Sequence, residues 1–212
     1  MALYEGEVTY TDHHLGRLLA ALDSSARRER TIVLVVGDHG ESMTEHGYYF
    51  GHSHFLYEPS LRVPLLIRWP GRVPEGTIVS DPVSLIDIAP TLRELLAMPE
   101  APGDGRSLAA LWSGRSRAPA PVFLERPLLE GSGLWGVRDG LWKYVLSEDG
   151  SEELYRLDDD PGETVNRAAA EKAEATRLRE ELERWRSSAP EAGAPALDEE
   201  TRERLRALGY LP

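Results

Sequence analysis

"TIVLVVGDHGESMTEHG", residues 31–47, passes in one step from the most strand-like run of the chain into a loop crowded with titratable groups. The β-branched run from Thr31 to Val36 has the composition of a buried strand of a parallel sheet, and Gly37 ends it. Asp38 and His39 then emerge at the carboxyl end of that strand, where open α/β sheets gather their ligand sites. With a helix before this strand and a loop and second strand after it, the order suggests an α/β layer architecture. Gly40 lets the backbone turn sharply or approach a bound oxyanion.

On the N-terminal side of this stretch, Tyr4 to Leu22 carries apolar residues at nearly helical spacing and predicts a helix that includes His13 and His14. On the C-terminal side, Arg62 to Arg68, "RVPLLIR", predicts a second buried strand, stopped by Pro70-Gly71. "SLIDIAPTLRELLAM" predicts a helix start at which Asp87 accepts first-turn amides and Pro90 is tolerated. Residues 99–121, rich in Pro, Gly, Ser and Ala, read as a loop or subdomain boundary. Beyond it "PVFLE", "LWGVRD", "LWKYVLS" and "EELYRL" predict a small antiparallel sheet, with Asp139-Gly140 as a hairpin turn. "DDDPGE" reads as a turn, and Ala168 to Arg186 as a charged helix whose Leu178, Leu182 and Trp185 share one face. A linker of composition "SSAPEAGAPA" and a short helix from about Leu197 to Leu208, closed by Gly209, complete the pattern.

The chain has 212 residues and a formal net charge of -12, which argues against a nucleic-acid or anionic-membrane binder. No apolar run is long enough for a transmembrane helix. Met1 to Glu7 lacks the pattern of a signal peptide, and the compartment is left open. There is no cysteine, so disulfides and thiolate metal sites are excluded.

Of the six histidines, four fall between His39 and His54. A carboxylate beside a neutral imidazole, Asp38 with His39, suits a divalent cation: Zn or Mn by ligand type, and Ca where other oxygens dominate. The alternative is that Asp38 caps a turn and His39 bonds locally. Glu41 and Glu45 read as a solvated face, with a supporting role toward a metal-bound histidine as the alternative. His46 is open in the same way. His52 and His54, alternate residues that would point the same way in an extended stretch, suit contact with an anionic substrate oxygen or protonation of a leaving group. Surface histidines are the alternative. No G-x-S-x-G, glycine-rich phosphate loop or H-E-x-x-H is present.

The segments "YEGEVTYTDHHLGRLLAAL", "TIVLVVGDHGESMTEHG", "HFLYEPSLRVPLLIRWPG", "VSLIDIAPTLREL", "DGRSLAALWSG", "ELYRLDDDPGETVN" and "RLRALGYL" occur in this order in bacterial sulfatases of the arylsulfatase type, and the chain resembles that family. The resemblance implies a partial alkaline-phosphatase-like α/β/α sandwich with a small C-terminal antiparallel sheet and helices. Residues 1–118 would be the C-terminal half of the catalytic domain, and 119–212 the antiparallel-sheet subdomain with its helices. It implies hydrolysis of sulfate esters, of small molecules or sulfated glycans, at one divalent metal ion, Ca by family and Mn or Zn by ligand type. Asp38 and His39 match metal-ligand positions. Relatives place a catalytic lysine shortly before the "YE" motif; here His52 and His54 flank that place, with His52 favoured. Many relatives have Asn where His39 stands, so the chain leans toward phosphonate-monoester-hydrolase-like and choline-sulfatase-like branches.

The family's nucleophile is a formylglycine made from the Cys or Ser of C/S-x-P-S-R, a motif this sequence does not contain. The resemblance therefore implies a fragment without the nucleophile half, inactive alone and dependent on an N-terminal half in cis or trans. Its uncovered strand edges and helix-facing surface would favour aggregation, dimerisation or a partner. The competing readings are a phosphodiesterase or phosphonate monoester hydrolase of the same superfamily, and a non-catalytic remnant or interaction module.

Overall fold

The computed structural model describes residues 2–52, 54–115, 117–126, 133–188 and 198–207. They divide into two compact units, one formed by 1–52 with 57–120 and the other by 53–56 with 121–212. In chain order the first unit contains helix α1 (Ala2–Asp23), strand β1 (Val33–Val36), helix α2 (Glu58–Leu61), strand β2 (Leu65–Arg68) and helix α3 (Ile88–Leu95).

The helix expected at Tyr4 to Leu22 forms as α1, and none of its residues is buried. Leu15, Leu19 and Leu22 are half-buried, whereas Leu3, Val8, Tyr10 and Leu18 stand exposed. The end of α1 is tied down by an ion pair from Asp23 to Arg68, and the 3-10 turn that follows it, Arg28–Arg30, by Trp69 Nε1 donating to Glu29 O at 3.2 Å.

The parallel strand expected at Thr31 to Val36 is corrected. β1 pairs antiparallel with β2, in register from Val33 opposite Arg68 to Val36 opposite Leu65. A parallel return needs a crossover, usually a helix; among the described residues the connection 37–64 carries a 3-10 turn (Glu45–Gly47) and the four-residue α2 but no longer helix, and the chain doubles back. The strand is also half-buried rather than buried. β2 is shorter than "RVPLLIR" because Arg62 closes α2, its N–H donating to Glu58 O, and Pro64 has no N–H to add to a ladder.

The helix start at Ser84 forms as a capping box, Ser84 and Asp87 bonding each other's backbone across a 3-10 turn that leads into α3. Asp87 is buried and also accepts from Arg106 N at 2.7 Å and from Arg117 Nη2 at 2.9 Å. Thr91, fully buried, donates to Asp87 O and accepts from Leu108 N, which closes the loop after α3 onto the helix.

In the second unit, strands β3 (Val122–Arg126), β4 (Leu134–Asp139), β5 (Trp142–Ser147) and β6 (Glu152–Arg156) form an antiparallel sheet in sequence order, as expected. Asp139 pairs with Trp142, so the two-residue turn is Gly140-Leu141, with Gly140 at φ +58 in the left-handed conformation that glycine adopts without strain. Helix α4 (Lys172–Ser188) covers one face: Leu178 and Leu182 are fully buried against Val137, Tyr144 and Leu154, and Trp185 stacks on Phe123 at 4.8 Å. Trp135 and Trp142 pack against this core as well. Burial pushes the Tyr144 hydroxyl up to about 12, so it stays a donor, to Glu152 at 2.9 Å.

The expected helix start at Ala168 is corrected to Lys172. Asn166 Oδ1 accepts from Ala168 N and from Leu154 N, committing that segment to a turn fastened to β6. In the "DDDPGE" turn Asp160 accepts from Thr164 N and Val165 N, and fully buried Glu163 pairs with fully buried Lys143. Helix α5 (Glu199–Ala207) is capped by Asp198, which accepts from Thr201 N at 2.7 Å. Leu197, Leu208 and Gly209, and most of the linker, lie outside the described residues.

Candidate active site

Asp38 and His39 leave the C-terminal end of β1 and are held in place through Gly40. Gly40 N donates to Ser60 O at 2.8 Å, and a Cβ at Gly40 would stand 2.0 Å from the Pro59 carbonyl oxygen. The glycine is needed for this approach of two backbones, which holds Asp-His against α2.

Asp38 Oδ1 accepts from His39 N at 3.0 Å, and that bond, with the neighbouring imidazole, holds its carboxyl below the usual carboxylate range. His39 Nδ1 lies 2.9 Å from Gly40 O. A carbonyl only accepts, so Nδ1 carries a hydrogen, and in the neutral ring Nε2 is the nitrogen with the lone pair. The local bonding expected as the alternative to metal ligation is thus present, and it leaves one oxygen and one nitrogen free of those bonds. Those two atoms, Asp38 Oδ2 and His39 Nε2, are 3.9 Å apart. Two donors at about 2.0–2.6 Å from one ion lie roughly 3–4 Å from each other, so the pair fits a shared divalent cation. The Asp38 side chain is 92% exposed. Among the described residues no group of three or more His, Asp or Glu is arranged to hold a metal ion, so the pair by itself is not a complete ligand set.

His52 joins this pair. Its ring lies on that of His39, centroids 4.0 Å apart and planes 18° from parallel, and its Nδ1 is 3.3 Å from Glu41 Oε2. His54 belongs to the second unit, where its carbonyl accepts from Arg126 Nη1 at 2.6 Å. His46 stacks on Tyr57 at 3.6 Å, and His13 and His14 lie on α1 in edge-to-face contact.

Two residues read from sequence as a solvated face have work in the loop. Glu45 Oε2 accepts from Met43 N at 2.7 Å and Thr44 N at 3.0 Å, and these bonds hold its carboxyl below the ordinary value of 4.5. Glu41 meets His52. The loop closes through an isolated antiparallel bridge between Ser42 and Gly51. The sequence signal for that closure is slight: Gly47 and Gly51 as turn residues.

The family model described as Sulfatase matches residues 1–98. The chain is 34% identical over 170 residues to a choline-sulfatase from Rhizobium meliloti (strain 1021), covering 78% of this chain and 32% of that protein. Among solved structures it resembles the phosphonate monoester hydrolase of Agrobacterium radiobacter, with a TM-score of 0.76 and 30% identity over 88% of this chain and 41% of that one. It also resembles a structure solved with its substrate D-glucosamine-2-N,6-O-disulfate, with a TM-score of 0.73 and 25% identity, over 88% of this chain and 41% of that one. The chain spans about a third of the length of the curated relatives it matches. Residues 1–98 thus match the sulfatase model, and over part of its length the chain is similar to the alkaline-phosphatase-like sulfatases, a family of sulfuric ester hydrolases.

Proposed function

We propose that this chain is the part of a sulfatase that supplies two ligands of one divalent metal ion, Asp38 and His39, and a substrate-facing histidine, His52. The observation that carries the reading is the pair of atoms left outside the local hydrogen bonds, Asp38 Oδ2 and His39 Nε2, 3.9 Å apart at the end of β1. Sulfatases use a divalent metal, here Ca by family, with Mn or Zn compatible with the imidazole. When bound, such an ion stabilises charge developing on the ester oxygens. Asp38 brings a carboxylate kept ionised by the His39 amide, and His39 brings a neutral nitrogen fixed by the Gly40 carbonyl. His52 contacts a substrate oxygen or hands a proton to the leaving alcohol, with His54 as the second candidate. The substrate is a sulfate ester, small or carried on a glycan; the disulfated glucosamine bound by a structural neighbour supports the glycan class.

In this reading residues 1–118 are the C-terminal half of the catalytic domain and 119–212 an accessory subdomain. The formylglycine nucleophile and the remaining ligands come from a sulfatase segment outside this sequence, in cis or in trans. The absence of cysteine and of the S-x-P-S-R pattern from the sequence supports this, as does a 22-residue α1 with no buried residue. The purified chain is then expected to leave 4-nitrophenyl sulfate unhydrolysed with Ca or Mn present. Turnover that Asp38→Ala abolishes would place the nucleophile within the chain and overturn this reading.

A second reading, a phosphonate monoester hydrolase, is favoured by histidine at the second ligand position and by the likeness to the Agrobacterium radiobacter enzyme. Rates with a sulfate ester and a phosphonate monoester, compared on the chain joined to its complementing segment, separate the two.

A further inference from the structure

The loop 41–52 is built to deliver one side chain. Its closing bridge is a pair of backbone hydrogen bonds, Ser42 N to Gly51 O at 2.9 Å and Gly51 N to Ser42 O at 3.3 Å. In antiparallel register the next pair outward is Glu41 opposite His52, the closer-spaced kind of pair, in which facing side chains meet. They do meet, Glu41 Oε2 lying 3.3 Å from His52 Nδ1, with the Glu41 side chain only 24% exposed. Within the loop Glu45 ties down the Met43 and Thr44 amides. His46 and Phe50 sit at φ 55 and φ 52, a left-handed conformation that costs a non-glycine residue about 1–2 kcal/mol and persists where the surroundings impose it. The other side of the His52 ring contact is His39.

We propose that Glu41 is a positioning residue for His52: it holds Nδ1 inward, so that Nε2 is the nitrogen presented to substrate. A carboxylate only accepts, so the hydrogen in this contact is on Nδ1 whether the ring is neutral or charged, and Nε2 is the outward atom in both states. The consequence for catalysis rests on the sulfatase reading of His52; the geometry does not.

The test therefore avoids turnover. In the 15N-labelled chain without added metal, at a pH well above the imidazole range, the ring nitrogen shifts of His52 report its tautomer. The expected result is the Nδ1–H form, the reverse of the preference of free histidine. Glu41→Gln retains it, because the amide oxygen accepts the same bond. Glu41→Ala returns the ring to Nε2–H while the Met43 and Thr44 amide shifts stay in place. An Nε2–H ring in the unmodified chain overturns the proposal without recourse to any variant, and so does an Nδ1–H ring that survives Glu41→Ala. Asp38→Ala leaves the His52 tautomer unchanged. Failure of metal binding at Asp38 and His39 thus counts against the sulfatase reading, and only the tautomer decides the role of Glu41.

Discussion

At the scale of single residues, each titratable group near the end of β1 is distinguished by which of its atoms is already engaged. Asp38 spends one oxygen on the His39 amide and His39 one nitrogen on the Gly40 carbonyl. Glu45 spends one oxygen on two amides. Because folding lowers the Glu45 pKa, the stability this carboxylate gives the loop is full above its ordinary 4.5 and is lost as pH falls through the depressed value. Hydrogen exchange at Met43 and Thr44 is expected to accelerate in that acid window. Glu45→Ala should produce the same acceleration at neutral pH, chiefly at buried Met43, at a cost of about 1 kcal/mol or less because water replaces the acceptor at exposed Thr44. The Asp-His pair was legible because a β-branched run followed by a carboxylate and an imidazole is a chemical pattern in consecutive residues. Glu41 was not, because what brings it to His52 is the 42–51 bridge, and a bridge between residues nine apart leaves no periodic trace; Glu45 is exposed, as read, and differs only in bonding the amides just before it.

At the scale of elements, the second unit followed its sequence closely. Alternating patterns, Asp139-Gly140 and a single apolar face on α4 all specify the same sheet-and-helix packing, and local and tertiary preferences agree. Leu182→Ala should destabilise this unit by about 2–5 kcal/mol, read as a lowered thermal midpoint. Lys143→Met alone should cost about 3–5 kcal/mol by stranding the buried Glu163 carboxylate, and Glu163→Gln added to it should recover much of the loss. The first unit was legible in element type and wrong in pairing. A run of β-branched residues states that a strand is apolar on both faces; it does not state which neighbour it pairs with, and with no described helix longer than α2 between β1 and β2 the chain reversed. The late start of α4 has the same kind of cause, a side-chain acceptor at Asn166 that competes with the helix for Ala168 N.

At the scale of the chain as a whole, α1 leaves Leu3, Val8, Tyr10 and Leu18 in solvent, and β2 leaves Leu66 there. A helix of this length without a buried face draws little stability from packing. The isolated chain is expected to bind a hydrophobic dye and to self-associate, and Val8→Glu with Leu18→Glu to reduce both; dye binding and sedimentation unchanged by that pair would contradict the assignment of α1 as an uncovered face. If the chain brings two ligands to a metal site completed by other residues, those two should mark where a divalent ion first settles. Titration of the 15N-labelled chain with Mn(II), followed by paramagnetic broadening residue by residue, reads that position. Asp38, His39 and Gly40 are predicted to broaden first, and Asp38→Ala to abolish the selectivity. Broadening that begins instead at the acidic turn Asp158 to Asp160, or that is uniform over the surface, would contradict the two-ligand assignment.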